Sequence, residues 1–234
     1  MMQTSDKNSP ANVWVVMAAY NEASVIAGVV GGLRSAGYPV VVVDDGSKDG
    51  TPARASEAGA DVVQHPINLG QGAGLQTGIE YALQRGATAI VTFDADGQHR
   101  VADIPRLLEA LAANGADFAL GSRFQGSTAV NMPASRRLLL QAATLFTRIT
   151  TGLKVSDSHN GLRAMTRRGA QAIQMRQNRM AHASEILHQI AASGLRYVEA
   201  PVTIEYSDYS LAKGQKLSDS FGIMIDLFAR RLHR

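Results

Sequence analysis

Apolar residues fall in short blocks through the first half of the chain, and each block ends in polar residues. Val13-Trp-Val-Val-Met-Ala-Ala19 is a continuous apolar run followed by Tyr20-Asn21-Glu22. Pro39 to Val43 is a second run, stopping at Asp44-Asp45-Gly46-Ser47. Ala60 to His65 is a short third. Ala89 to Phe93 is a fourth, ending in Asp94-Ala95-Asp96-Gly97-Gln98-His99, and Ala116 to Gly121 is a fifth, ending at Ser122-Arg123. Runs of this kind are the pattern of strands buried on both faces. Between them the spacing predicts helices over Glu22 to Ala36, from Thr51-Pro52, from the glycine-rich loop to Arg85, and from about Ala102 to Asn114. Thr-Pro suits a helix start, because the hydroxyl can cap and proline fixes φ at the first helical position. Beyond residue 123 the pattern changes to longer amphipathic stretches.

Alternating strands and helices predict βαβ units and a mostly parallel sheet flanked by helices. Right-handed crossovers then bring the polar strand ends Tyr20–Glu22, Asp44–Asp45, Asp94–Gln98 and Arg123 to one rim. Ligands bind at such rims. Asp94, Asp96 and Gln98 stand at i, i+2 and i+4. In extended chain they project to one side, with Cα atoms about 6.5–7 Å apart per step. Oxygen ligands so placed suit Mg²⁺ or Mn²⁺, with part of the shell left to substrate phosphates. A lone Asp-x-Asp is more often a solvated turn; its place among four polar strand ends is what favours the metal-diphosphate reading. Asp44 is expected to anchor its strand end. The glycine-rich loop, Asn68-Leu-Gly70-Gln-Gly72-Ala-Gly74, is neither GxGxxG nor GK[ST] and follows the third strand. It predicts a tight loop against a neighbouring ligand or element, not a dinucleotide or P-loop site.

Composition narrows the class. A chain of 234 residues with 45% apolar content suits one large domain. It divides into a polar tail over 1–12, without the apolar core of a signal peptide, an α/β domain over 13–216, and an amphipathic C-terminal helix over 217–234. No apolar run reaches the length of a transmembrane helix. There is no cysteine, which fits a cytoplasmic home, and a net charge of +3 gives no argument for nucleic acid. Two stretches are basic and amphipathic: Arg136 to Ile149, and a C-terminal face of Leu217, Phe221, Met224, Ile225, Phe228 and Leu232. Such helices lie on membrane surfaces or cover a core or a dimer interface.

The motifs Ala19-Tyr20-Asn21-Glu22, Asp44-Asp45-Gly46-Ser47-x-Asp49-Gly50-Thr51, Asn68-x-Gly70, Asp94-Ala-Asp96-Gly97-Gln98-His99, Gly121-Ser122-Arg123, Asp157-x-x-x-Gly161-x-Arg163 and Gly214-x-x-Leu occur in that order. Together they resemble the family 2 glycosyltransferases of the GT-A fold, above all the dolichol- and polyprenyl-phosphate sugar transferases. The resemblance implies an inverting, metal-dependent transferase that uses a UDP-, GDP- or dTDP-linked sugar. It implies nucleotide contacts at Ala18, Tyr20, Glu22, Val43, Asp45, Asp94 and Ala95, and a Mg²⁺ or Mn²⁺ site at Asp94, Asp96 and Gln98. It also implies phosphate or acceptor contacts at Arg123, Arg136, Arg137, Lys213 and Lys216. Ala18 stands where many relatives have proline, and the late loop around Lys213 lacks the usual Arg-x-x-Gly-x-Ser-Lys form. The expected acceptor is polyprenyl phosphate; the alternatives are a saccharide hydroxyl or a silent nucleotide-sugar-binding subunit. A hydroxyl acceptor needs a base, for which Asp157 and Glu185 are the candidates, each with a structural alternative. His99 is read as a further metal ligand, a donor to phosphate, a side chain supporting the ligands from behind, or a surface residue. His65, His159, His182, His188 and His233 show no metal-like spacing. The expected location is cytoplasmic, peripheral at the inner face of the membrane if the acceptor is a lipid, with a membrane protein or a second copy as partner.

Overall fold

The computed structural model describes residues 12–126, 129–130, 134–175 and 182–205. Its centre is a seven-stranded sheet in the order β3-β2-β1-β4-β7-β5-β8. The strands are β1 (Val13–Ala19), β2 (Val40–Asp44), β3 (Asp61–Gln64), β4 (Ala89–Thr92), β5 (Phe118–Ser122), β7 (Arg163–Thr166) and β8 (Tyr197–Pro201). All neighbours run parallel except at β7, which is antiparallel to both β4 and β5. The carboxyl ends of β1, β2, β4 and β5 therefore share one rim, as the alternation requires. β7 enters the sheet at that rim, with Arg163 opposite Thr92.

Continuous apolar strands follow from two-sided burial. Val15 and Met17 of β1 point into one layer, with α1 (Ile26–Ser35), α2 (Thr51–Glu57) and α4 (Ile104–Asn114). Trp14 and Val16 point into the other, with α3 (Gln71–Gln84), α6 (Arg167–Gln171) and α7 (His182–Ser193). Successive side chains alternate between faces, so both must be apolar where both faces are covered.

The glycine-rich stretch is explained by close packing of α3. A Cβ on Gly74 would lie 2.8 Å from the Ala18 Cβ, and one on Gly78 would lie 2.4 Å from Val16 Cγ1. The helix therefore sits nearer the sheet than any side chain at 78 allows, which is the tight approach to a neighbouring element expected of this loop.

Some boundaries differ from the sequence reading. α1 begins at Ile26 rather than Glu22; the N–H groups of Glu22 and Ala23 bond Thr51 Oγ1 and Asp49. Thr51 does not cap α2; Gly50 holds that position and the Thr51 hydroxyl serves Glu22 instead. A 3₁₀ turn at Val101–Asp103 precedes α4. Asn12, expected in a loose tail, donates to the Arg85 carbonyl and accepts from the Thr88 N–H.

The second half adds α5 (Ala134–Thr151) and a pair of short strands, β6 (Ala129–Val130) and β9 (Ile204–Glu205). α5 turns a polar side inward, with Thr144 and Thr147 buried, while Leu138, Leu145 and Ile149 are 70%, 58% and 73% exposed. Among the described residues no helix is long and apolar enough to cross a membrane. The expected C-terminal helix, Lys213 and Lys216 lie outside the described residues.

Replacing Gly78 by alanine should cost about 1–3 kcal/mol, the usual penalty for overpacking. Urea unfolding of the variant checks this, and an unchanged midpoint would show that α3 stands off the sheet.

Candidate active site

The rim is built from interlocked turns. Asn21, at φ 54, donates its N–H to Ser47 Oγ at 2.9 Å, and its Oδ1 accepts from Lys48 N at 2.9 Å. Glu22 N donates to Thr51 Oγ1 at 2.8 Å. The turns after β1 and β2 thus fix each other, leaving Tyr20 exposed and Glu22 buried. Asp44 accepts from Ser47 N, the strand-end anchor expected of it.

Asp45 is 3% exposed, and the glycine-rich loop wraps it. Oδ1 accepts from Leu69 N at 2.9 Å and from His65 Nδ1 at 2.8 Å; Oδ2 accepts from Gly70 N at 2.7 Å. His65 Nε2 meets Thr77 Oγ1 at 3.0 Å. The sequence offered no sign that His65 belongs here; only its place one residue beyond β3, beside the strand that leads into Asp45, could have suggested it.

At the end of β4 the chain does not stay extended. It turns over Ala95 and Asp96, with Gly97 at φ 76, so the three-residue alignment of Asp94, Asp96 and Gln98 on one side is replaced by a tight loop. Asp94 is clamped. Oδ1 accepts from Gln71 Nε2 at 3.1 Å, Oδ2 is 2.9 Å from His99 Nε2, and a Cβ at Gly161 would lie 2.2 Å from Oδ2. His99 is buried edge-on against Phe93, with ring centroids 5.3 Å apart. Asp96 Oδ1 accepts from Gln98 N at 3.1 Å. Burial and then the Asp94 charge push the Asp96 carboxyl up to about 6, with Glu22 adding to the rise; the Gln98 N–H and His99 oppose it. Three acidic groups therefore crowd one spot.

Arg163 is the internal counter-charge. Burial pushes its guanidinium down to about 10, while Asp94 and Asp157 pull the other way. It stays cationic at neutral pH. Arg123 is also buried, its Nε donating to Asp157 Oδ2 at 2.6 Å and Nη2 to the His159 carbonyl at 2.9 Å. Glu199 of β8 holds this loop, accepting from Ser156 N at 2.7 Å and Asp157 N at 3.3 Å.

Asp157, a candidate base, has a side chain with 0% exposure, bound to the Arg123 guanidinium. Val43, expected at the nucleotide, has a fully buried side chain that packs against Gly74 and Gly78. Ala18 lies under Gly74, and Ala95 sits in the turn at 4% exposure. Glu185 opens α7, where a negative charge suits the helix N-terminus, and accepts from Gln189. Arg136 and Arg137 lie in the first turn of α5, Arg137 exposed.

Among the described residues no three His, Asp or Glu side chains form a ready-made metal cage. The donor set nonetheless fits a hard dication that shares its shell with phosphates, because such ions use one or two carboxylates. Asp96 has an oxygen not used by Gln98. Asp94 is held in place by Gln71 on Oδ1 and His99 on Oδ2.

The model of the family described as Glycosyl transferase family 2 matches residues 14–173. The chain belongs to glycosyl transferase family 2. The UDP-N-acetylglucosamine–dolichyl-phosphate N-acetylglucosaminyltransferase of Methanococcus voltae is 29% identical over 94% of this chain and 96% of its own. The undecaprenyl-phosphate mannosyltransferase of Micrococcus luteus is 34% identical over 82% of each chain. The crystal structure of glucosyl-3-phosphoglycerate synthase from Mycobacterium tuberculosis, solved with Mn²⁺, UDP and phosphoglyceric acid, superposes with a TM-score of 0.68 at 19% identity, over 93% of this chain and 78% of that one. The GT-A architecture expected of the family 2 glycosyltransferases is thus the one observed, and the protein is a glycosyltransferase of that family.

The acid cluster has a stability signature. The folded Asp96 pKa, about 6, lies above its ordinary 3.8, so the folded protein binds a proton more tightly between those values. Stability then falls as pH rises through that window, and the full penalty applies above it. Without divalent ions, Asp96→Asn should be more stable than the wild type above about pH 7, by on the order of 1–3 kcal/mol, and the gain should vanish near pH 4. Urea titrations in chelator at the two pH values check this.

Proposed function

We propose that this glycosyltransferase moves a hexose from a nucleotide diphosphate to polyprenyl phosphate, with inversion at the anomeric carbon and with Mg²⁺ or Mn²⁺ as cofactor. The observation that carries the reading is the crowding of Glu22, Asp94 and Asp96 at the carboxyl ends of β1 and β4, where burial and like charge hold Asp96 up. Such a cluster suits a dication and the diphosphate that comes with it. When bound, the ion would stabilise the negative charge that develops on the leaving diphosphate.

The chain's own residues supply the rest. Asp96 offers a carboxylate oxygen to the ion, with Gln98 beside it. Gln71 and His99 hold Asp94 in one orientation. Tyr20 exposes an aromatic face just after β1, and Asp45 follows the adjacent strand β2, together a seat for the nucleoside. Arg163 keeps part of the acidic charge balanced. On the acceptor side a lipid phosphate is already anionic near neutral pH, its second pKa being about 6, and needs no general base. The enclosure of Asp157 by Arg123 is consistent with that. The names of the relatives from Methanococcus voltae and Micrococcus luteus specify polyprenyl-type phosphate acceptors, and the first specifies a UDP-linked donor.

α5 supports a peripheral membrane location. Leu138, Ala142, Leu145 and Ile149 recur at spacings of four, three and four, which places them on one exposed face, with exposed Arg137 and Arg148 beside them. An apolar outer face between basic residues suits the headgroup region of an anionic bilayer at the cytoplasmic side. Arg137 would there meet the acceptor phosphate.

The test is transfer by purified protein with Mn²⁺, UDP-, GDP- and dTDP-sugars, and undecaprenyl phosphate in detergent. A metal-requiring glycolipid product is expected, absent in Asp96→Asn. Arg137→Ala should raise KM for the lipid about tenfold, as loss of a charge-assisted contact does, and leave the donor KM unchanged. Transfer to a saccharide hydroxyl instead would move the acceptor, and donor binding without product in any assay would make the chain a binding subunit.

A further inference from the structure

Asp45 accepts from three donors, which come from two places. Leu69 and Gly70 donate backbone N–H groups from the glycine-rich loop, and His65 donates from the end of β3. The side chains of Asp45 and His65 are 4% and 9% exposed. A carboxylate only accepts, so Nδ1 of His65 carries the proton. In the neutral ring Nε2 then accepts, and Thr77 Oγ1, at 3.0 Å, is its donor. Thr77 belongs to α3, the helix that Gly74 and Gly78 bring close against the sheet. The line Thr77–His65–Asp45 thus runs from the tightest helix–sheet contact to the rim.

The acceptor count has a consequence. A carboxylate has about four lone-pair positions, two per oxygen. Oδ1 has both filled, by His65 and Leu69; Oδ2 has one filled, by Gly70. A single position on Oδ2 is left, and its direction is set by the three donors. Rotation of the carboxylate would break at least one of them and leave a buried donor unpaired, which is unfavourable.

We infer that His65 and Thr77 are specificity-determining positioning residues: they aim the last acceptor of Asp45 at a nucleobase that presents a ring N–H. This deepens the proposed function and rests on its nucleotide site. Uracil, thymine and guanine carry a ring N–H; cytosine and adenine carry an unprotonated ring nitrogen in the corresponding position. An aimed carboxylate oxygen binds the first class and repels the lone pair of the second. A site built to receive a hydrogen bond discriminates far more strongly than one that merely fits a shape. Without His65 the carboxylate keeps its charge but loses its aim, so discrimination falls more than stability does.

The experiment is calorimetric binding of UDP and CDP, each with Mn²⁺, to the wild type, His65→Leu, His65→Asn and Thr77→Val, with the melting temperature of each. The wild type is expected to favour UDP. His65→Leu should reduce the UDP-to-CDP preference about tenfold, the effect of one charge-assisted hydrogen bond. His65→Asn places an amide N–H near the lost Nδ1–H and should keep the preference within about threefold of wild type; Thr77→Val should fall between the two. A wild type without preference, or variants that weaken UDP and CDP equally, would overturn the inference while leaving the nucleotide site standing. A wild type that binds neither would overturn the nucleotide site itself, and the inference with it.

Discussion

Like charges crowded at the ends of adjacent strands are the constraint on which this site depends. Glu22 follows β1 and Asp94 and Asp96 follow β4, and β1 and β4 are neighbours in the sheet. Their repulsion, added to burial, holds the Asp96 carboxyl well above its ordinary range. A fold tolerates such a cluster only where something balances it. Arg163 does so from β7, the strand inserted between β4 and β5. In the proposed function, a dication brought with the substrate completes the balance.

The surrounding structure serves to hold each acid in place. Gly161 lets the backbone come so near that a methyl group there would collide with Asp94. Segment 202–205 closes the other side: Glu205 N donates to the Gln98 carbonyl, Thr203 N donates to Asp103, and Ile204 bridges His99. The acidic loop is thus sewn to β9, and β9 pairs with β6 from the segment that leads to α5.

Much of this was legible in the sequence. Two-sided burial writes apolar runs, so β1, β2, β4 and β5 were visible, and so were the polar ends that share the rim. β7 and β8 were not. Arg163-Ala-Met-Thr begins with a charge that serves the site, and Tyr197-Val-Glu-Ala-Pro carries Glu199, which holds the Asp157 loop. Function there interrupts the pattern by which strands are found. Local chemistry misled in the same way: Thr51 reads as a cap, yet its hydroxyl is spent on Glu22 across the rim. Asp157 reads as a candidate base or a turn cap, and the sequence does not show that Arg123 lies against it. His65 looked unremarkable because its partners, Asp45 and Thr77, are twenty and twelve residues away.

The central claim is that the acidic cluster holds a dication jointly with a nucleotide diphosphate. The most direct measurement is the affinity of Mn²⁺, followed by the electron paramagnetic resonance of the free ion, with and without saturating UDP. Weak binding alone and binding tightened at least about tenfold by UDP is the expected result, since coupling between two ligands is reciprocal. UDP that binds equally well in chelator, with Mn²⁺ affinity unmoved by it, would contradict the account.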